Sequence, residues 1–201
     1  MTQTALTALL LLAIGYLLGA IPSGYLAGRW LKGIDLRDCG SGSTGATNVL
    51  RNVGKGPALG VFLIDVSKGA LAVLLAKSVG LSDWLQVLAG LAALAGHIWP
   101  VWLGWKGGKA VATGLGMFLG LAWPVGLACF GLFMAVISIF RIVSLSSVVA
   151  AIGLPLLMLA SGGSSAYVVV SLVASLMVLW RHRSNIERLL AGTEPKIGQK
   201  S

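Results

Sequence analysis

The chain has 201 residues, of which 57% are hydrophobic and only 10% are charged. Soluble globular domains carry about 25% charged residues, so this composition argues against a soluble protein. The 15 basic residues outnumber the 6 acidic ones and give a formal net charge of +9, which we expect to meet anionic lipid and not nucleic acid. The two cysteines, Cys39 and Cys129, show neither metal-type spacing nor a disulfide framework, and we expect no metal site.

Apolar runs long enough to cross a bilayer follow one another along the chain. The first lacks a basic residue before it and is longer than the apolar core of a signal peptide, so we interpret it as a retained helix. The predicted spans are 5–27, 57–77, 85–103, 110–122, 125–140, 144–161 and 165–181. The fourth is short and could join the fifth as one kinked segment around Trp123-Pro124. Since proline after a helix end suits a tight turn, we favour seven.

The basic residues predict the orientation of these spans. With the N-terminus outside, the segments 28–56, 104–109, 141–143 and 182–201 lie on one side, with Arg181 at the end of the last span. They hold thirteen of the fifteen basic residues, namely Arg29, Lys32, Arg37, Arg51, Lys55, Lys106, Lys109, Arg141, Arg181, Arg183, Arg188, Lys196 and Lys200. Because basic loops stay in the cytoplasm, the prediction is an all-α, polytopic membrane helix bundle, N-terminus out and C-terminus in, formed by a single domain, 1–201.

The first stretch with polar chemistry, at 40–45, matches the dinucleotide fingerprint G-x-G-x-x-G. That fingerprint requires a strand before it and a βαβ unit around it, whereas here a membrane helix and a charged linker precede it, so we reject the dinucleotide interpretation. Successive glycine amides can still converge on an anion. A Gly/Ser linker is the structural alternative. The predicted phosphate cradle comprises Gly40, Gly42, Ser43, Gly45 and Asn48, with Ser41 and Thr44 as further donors and Arg51 as a forked cation.

The second stretch, at 96–113, places Gly107 and Gly108 between two lysines, directly before an apolar helix. It is not a Walker A loop, because Leu103 and Ala110 occupy positions that require glycine and serine or threonine. Amides and a cation at a helix N-terminus still suit an anion, so we add both glycines to the predicted cradle, with Lys109 as the cation. His97, near the end of an apolar span, is either a functional residue or a hydrogen-bonded structural one.

The third stretch, at 180–192, carries His182 and Asn185 three residues apart, on one face of a helix, among several arginines. Within a span, Asp65 and Lys68 are also three apart, and we interpret them as an ion pair that faces the bundle. Lys68, Ser144 and Arg181 could contact the binding residues and hold them in place without touching a substrate.

Two glycine-rich cradles, several cations and two histidines on one membrane face suit the binding of two phosphorylated compounds. Acyl transfer follows if one phosphate is the leaving group of an acyl chain that lies among the helices. A transporter for phosphorylated solutes is the main alternative, but it would favour polar residues at the membrane midplane and an inverted repeat. A lipid-binding scaffold would explain the basic face but not the cradles.

Three stretches resemble, in order, the cytoplasmic motifs of the bacterial membrane acyl-phosphate:glycerol-3-phosphate acyltransferases: GSGSTGATNVLR at 40–51, GHIWPVWLGWKGGKAVAT at 96–113 and RHRSNIERLLAGTE at 181–194. The resemblance covers nearly the whole chain. It implies seven helices in the inner membrane, with the active site on the cytoplasmic side. It also implies transfer of an acyl chain from acyl phosphate to the 1-hydroxyl of sn-glycerol 3-phosphate, which gives lysophosphatidic acid in the first step of phospholipid synthesis. We expect no cofactor and a monomer.

By the same resemblance the catalytic and binding set falls on Ser41, Arg51, His97, Lys109, His182 and Asn185. Two positions depart from the family pattern. Ser43 stands where the family usually has asparagine, and Ala110 stands where it usually has glycine. Serine keeps a shorter donor, and alanine gives up some backbone freedom.

Overall fold

The computed structural model describes residues 3–199, which contain helices and turns but no β-strand. Of the predicted features, Lys200 lies outside these residues. The described chain forms two compact units, with the boundary in the sequence between Leu121 and Ala122.

The first unit begins with two helices that divide the first predicted span. Helix α1 ends at Ala20 and α2 begins at Ser23, with Pro22 between them. Proline carries no backbone N–H and restricts the residue before it, so the helix stops and starts again. The helices of this unit are α1 (Gln3–Ala20), α2 (Ser23–Lys32), α3 (Ala46–Asn52), α4 (Lys55–Ser78), α5 (Asp83–Ile98) and α6 (Val111–Leu121), with a 3-10 turn at Val101–Leu103.

Small residues bring the helices of the first unit together. A Cβ on Gly19 of α1 would overlap with the backbone of Ala93 in α5, and one on Gly116 of α6 would overlap with the carbonyl of Val66 in α4. Lipid tails are as apolar as leucine, so membrane helices associate through such close backbone contact rather than through the hydrophobic effect. Large side chains point outward instead, and Leu9 of α1 remains 55% exposed.

The second unit consists of α7 (Trp123–Phe140), α8 (Val143–Ala160), α9 (Ser165–Arg181) and α10 (Arg183–Leu190). Helices α9 and α10 are bent by 63° relative to each other. The chain after α10 returns to the start of α8, where the N–H of Ile197 donates to the carbonyl of Arg141 at 2.8 Å. The segment after the last span is therefore part of the folded unit.

The all-helical prediction is confirmed, and each predicted span contains a helix. The fourth and fifth spans are separate helices, because α6 ends at Leu121 and α7 starts at Trp123 with a proline in its first turn. Among the described residues, five helical segments are long and apolar enough to cross a membrane, or six if the bent pair of α9 and α10 is one span. Helix α6, with 11 residues, is shorter. Seven spans and their orientation remain predictions.

The close contact of α4 with α6 predicts that Gly116→Ala destabilises the protein. The added Cβ would meet the Val66 carbonyl, and such overpacking costs about 1–3 kcal/mol. Thermal unfolding in detergent measures this loss. Gly114→Ala is the matched control in the same helix, because the nearest atom to its Cβ is 3.9 Å away. Equal unfolding temperatures for the two variants would contradict the packing described.

Candidate active site

Asn48 shapes the loop at 40–45 from inside. The residue is 1% exposed, and its side-chain Oδ1 accepts from the backbone N–H of Ser41 at 3.2 Å. Its Nδ2 lies within hydrogen-bond distance of three carbonyls, those of Leu36 at 2.9 Å, Cys39 at 3.0 Å and Ser43 at 2.9 Å. The loop is wrapped around this one amide, so Asn48 belongs to the predicted cradle as the residue that holds its shape.

The loop presents some of the predicted donors to solvent and buries others. Gly40 and Gly42 have positive φ angles, 55° and 63°, which glycine adopts without strain. Ser41 is exposed, and so is Arg51 in the last turn of α3. Ser43 is buried and its Oγ accepts from the N–H of Gly45 at 3.3 Å. Gly40 and Gly42 are exposed as well, so the backbone of the loop, Ser41 and Arg51 can all be reached by a ligand from outside.

Gly107 and Gly108 lie against His97. Their N–H groups donate to the carbonyls of Ile98 at 3.0 Å and His97 at 3.1 Å, and a Cβ on Gly108 would overlap with His97 Nε2. The sequence suggested that these two amides face an anion. The structure shows them bonded to the end of α5 instead, because the segment folds back onto that helix. The two glycines therefore let this segment lie directly against the end of α5 and the ring of His97.

Ala110 adopts the backbone conformation that glycine usually takes. Its φ is 59° and its exposure is 2%. A left-handed conformation costs a residue with a Cβ roughly 1–2 kcal/mol. The departure from the family pattern at this position therefore keeps the backbone geometry at an energetic cost.

A buried network lies behind His97. Lys68 Nζ is 2.7 Å from Asp65 Oδ1, with side-chain exposures of 3% and 2%, so the ion pair expected from the sequence is present. The same Nζ lies 3.0 Å from the carbonyl oxygen of Ile21 and 3.1 Å from His97 Nδ1. Ser23 Oγ donates to Asp65 Oδ1 at 2.6 Å. Every hydrogen of the Lys68 ammonium has an acceptor, which is how a membrane protein keeps a buried charge.

A small cavity joins this network to the first loop. Its volume is about 10 Å³, room for a single water molecule. The residues that line it include Ser23, Thr44, Lys68, His97, Pro100 and Leu103. The first predicted motif, through Thr44, and the second, through His97, therefore meet in the first unit.

Arg37 also connects the two motifs, and the sequence did not reveal it. Its guanidinium pairs with Asp35 at 2.6 Å, lies 5.2 Å from the ring centre of Tyr25 and donates to the carbonyl of Leu103 at 3.0 Å. The hydrogen bonds from Arg37 hold the pKa of Asp35 at about 2. The contact with Leu103 fixes the linker before the first loop to the 3-10 turn before the glycine pair.

Side chains of α8 and α10 gather around Glu194, a residue to which the sequence alone assigns no role. Its side chain is only 3% exposed. It accepts from Ser144 Oγ at 2.7 Å, Asn185 Nδ2 at 2.6 Å and Arg188 Nε at 2.6 Å. Burial opposes the charge on Glu194, but these hydrogen bonds outweigh burial and hold its pKa below its ordinary value. Ser144 and Asn185, predicted separately, thus share one acceptor.

The other two predicted residues of this unit lie at the junction of α9 and α10. His182 is buried, and its Nδ1 lies 2.8 Å from the carbonyl oxygen of Val178. The guanidinium of Arg181, which is half-buried, lies 5.6 Å from the ring centre of Trp180. Within residues 3–199, no group of three or more His, Cys, Asp or Glu side chains is placed to hold a metal ion.

Comparison with known proteins gives a family for this arrangement. Residues 9–192 match the model of the family described as glycerol-3-phosphate acyltransferase. The chain belongs to the glycerol-3-phosphate acyltransferase family. It is 94% identical over 196 residues to the glycerol-3-phosphate acyltransferase of Parasynechococcus marenigrum (strain WH8102), and the aligned region covers 98% of this chain and 92% of that protein. The enzyme of the same name from Prochlorococcus marinus (strain MIT 9313) is 70% identical and covers 96% of each chain.

The family relation extends to three dimensions. The chain is similar to the crystal structure of PlsY (YgiH), an integral membrane glycerol 3-phosphate acyltransferase, in its glycerol 3-phosphate form, with a TM-score of 0.91 and 41% identity over 95% of this chain and 96% of that one. It is also similar to the lysophosphatidic acid form of PlsY, with a TM-score of 0.87 and 40% identity over 95% of each chain. The recognition of the family from its three motifs is confirmed, and the protein is an integral membrane protein.

The contacts of Glu194 predict a loss of stability in acid. A carboxyl group whose pKa is lowered by folding stabilises the folded state at pH values above the pKa of the unfolded chain, here 4.5. This contribution disappears as the pH falls through the lower pKa of the folded state. We expect Glu194→Gln to lower stability at pH 7 by about 1.5–3 kcal/mol, the range for hydrogen bonds to charged groups. Below pH 4 the difference from the wild type should shrink.

Thermal unfolding at pH 7 and pH 3.5 tests this. Glu187→Gln, which changes an exposed carboxylate of α10, is the matched control and should behave as the wild type does. Parallel pH profiles for the wild type and Glu194→Gln would rule out a stabilising charge at this position.

Proposed function

We propose that this protein transfers the acyl chain of an acyl phosphate to the 1-hydroxyl of sn-glycerol 3-phosphate, which gives lysophosphatidic acid and phosphate in the first step of bacterial phospholipid synthesis. The observation that carries the proposal is the match to PlsY over 95% of the chain at 41% identity. PlsY has a glycerol 3-phosphate form and a lysophosphatidic acid form. These compounds are the acceptor and the product of the proposed reaction.

The choice of acyl phosphate as donor is supported by the cations of the first unit. Both substrates then carry a phosphate, and two such anions repel strongly where water is excluded. Arg51, which is exposed, and Lys109, which is half-buried beside the Gly107-Gly108 pair, are the charges that we assign to offset this repulsion. We assign the loop at 40–45, with Ser41, to the acyl phosphate.

We assign His182 and Asn185 to glycerol 3-phosphate and His97 to the reacting groups. The hydroxyl oxygen attacks the acyl carbon, the bond from that carbon to the phosphate oxygen breaks, and phosphate leaves with the proton of the hydroxyl. Phosphate is already a good leaving group, so the reaction needs no covalent enzyme intermediate and no cofactor. Positioning and electrostatic stabilisation then supply most of the rate.

We also propose the membrane arrangement that the charge distribution favours. Residues 1–201 form a single integral membrane domain with seven spans in the bacterial inner membrane, the N-terminus outside and the active site on the cytoplasmic side. One family model matches residues 9–192, which include most of the first predicted span and all the others, and this supports the single domain. The protein acts as a monomer among membrane lipids.

The donor is tested by mixing the purified protein with labelled glycerol 3-phosphate and either palmitoyl phosphate or palmitoyl-CoA. We expect labelled lysophosphatidic acid from palmitoyl phosphate alone, because the cradle is assigned to a phosphate on the acyl group. Product from palmitoyl-CoA alone would overturn the assignment of acyl phosphate as the acyl donor. No product from either, together with uptake of the label into vesicles, would favour transport instead.

Charge neutralisation is tested with Arg51→Ala and Lys109→Ala. Removing a group that stabilises charge in a transition state typically costs about 10²–10³-fold in turnover, and we expect losses in this range without a change in unfolding temperature. Lys55→Ala is the control for Arg51→Ala, and Lys106→Ala is the control for Lys109→Ala, because each removes an exposed lysine nearby in the sequence. Both controls should keep their activity. Kinetics like those of the wild type in Arg51→Ala or Lys109→Ala would remove that residue from the mechanism.

A further inference from the structure

The buried ammonium of Lys68 determines which nitrogen of His97 carries the ring proton. Lys68 Nζ lies 3.1 Å from His97 Nδ1. An ammonium group has three donors and no acceptor, so at this distance Nδ1 can only accept. A proton on Nδ1 would place two donors against each other. The ring proton of His97 therefore lies on Nε2.

The nearby carboxylate does not change this assignment. Asp65 Oδ1 is 3.8 Å from His97 Nδ1, which is beyond hydrogen-bond distance. The same oxygen already accepts from Lys68 at 2.7 Å and from Ser23 Oγ at 2.6 Å. Lys68 is held in place by Asp65 and by the carbonyl of Ile21 at 3.0 Å, so its third hydrogen is aimed at the imidazole ring.

The opposite side of the ring faces the second motif. A Cβ on Gly108 would overlap with His97 Nε2, so this nitrogen lies directly against the segment that carries Lys109. A neutral imidazole that is protonated on Nε2 can donate from that atom, but it cannot take a proton there. The position of Lys68 thus decides what His97 can do.

We propose that Lys68, held by Asp65 and Ser23, is a positioning residue that keeps the ring proton of His97 on Nε2, so that His97 donates a hydrogen bond to a substrate oxygen and does not act as the base for the attacking hydroxyl. The proposal rests on the proposed function, since it concerns the same reaction. It assigns to Asp65 and Lys68 a chemical task beyond that of an ion pair.

His182 provides an internal reference. Its Nδ1 lies 2.8 Å from the carbonyl oxygen of Val178, which can only accept, so its proton lies on Nδ1. The chain has two histidines, and the structure gives them opposite tautomers. Nitrogen NMR of histidine-labelled protein in detergent distinguishes the two forms, and His182→Gln assigns the signals. We expect protonated Nε2 in His97 and protonated Nδ1 in His182.

Lys68→Met should reverse the tautomer of His97. The variant removes the donor at Nδ1 and leaves Asp65 without its cation, so the nearest acceptor for an Nδ1 proton becomes that carboxylate. Lys77→Met is the matched control in the same helix, because Lys77 Nζ donates to the backbone carbonyl of Leu121 at 2.9 Å; it should leave both histidine signals unchanged. Protonated Nδ1 in wild-type His97, or an unchanged signal in Lys68→Met, would overturn the proposal.

Turnover separates positioning from stability. Removing one partner of a buried ion pair is strongly destabilising, whereas replacing both is often neutral. The double variant with Asp65→Asn and Lys68→Met should therefore unfold at nearly the wild-type temperature. Its kcat should still fall by about tenfold or more, because the Nε2–H of His97 is no longer fixed as a donor, and such a donor is worth about 10²–10³-fold. Wild-type kcat in a stably folded double variant would show that the pair has only a structural role.

Substitutions of His97 test the donor directly and do not depend on the folding of those variants. A glutamine amide can place an N–H near the position of Nε2, whereas an asparagine amide reaches only that of Nδ1. We expect His97→Gln to stay within about tenfold of wild-type kcat, and His97→Asn and His97→Ala to lose about 10²–10³-fold. A glutamine variant as inactive as the alanine one would indicate a base and overturn the proposal. The NMR measurement needs no turnover, so it decides the tautomer even if the proposed acyl transfer fails.

Discussion

The buried ion pair between Asp65 and Lys68 is the interaction on which much of the first unit depends. Charges inside a membrane protein are costly unless every donor and acceptor is matched, and here the matching groups come from three other residues. Ile21 supplies a carbonyl because it lies in the break between α1 and α2. Ser23 supplies a hydroxyl and His97 a ring nitrogen. The break at Pro22, the position of α4 and the end of α5 are thus determined together.

The features that could be predicted from the sequence are those set by short-range geometry. Helical periodicity places residues three apart on one face, which is why the Asp65–Lys68 pair and the helices themselves were predictable. The roles of Glu194 and Arg37 were not, because each has a partner far along the chain: Ser144 precedes Glu194 by 50 residues, and Leu103 follows Arg37 by 66. A carboxylate or guanidinium in a basic loop has no local pattern that names such a partner.

Glycine shows why the site was harder to predict than the fold. Gly40 takes a left-handed conformation in a loop, Gly108 makes room for an imidazole ring, and Gly116 lets two helices touch. The sequence looks alike in all three cases, because a glycine indicates only that a side chain is missing. A glycine pair predicts a close approach to the backbone, but it does not tell whether the approaching group is a ligand, a ring or another helix.

Several of these contacts end on backbone carbonyls. Lys68 donates to Ile21, Arg37 to Leu103 and His182 to Val178. A carbonyl is present whatever side chain the residue bears, so these contacts require a particular side chain only at the donor. In evolutionary terms, each contact by itself constrains one member of the pair, and the other is constrained only by its own packing. A relative can therefore carry a different side chain at an accepting position and still keep the contact.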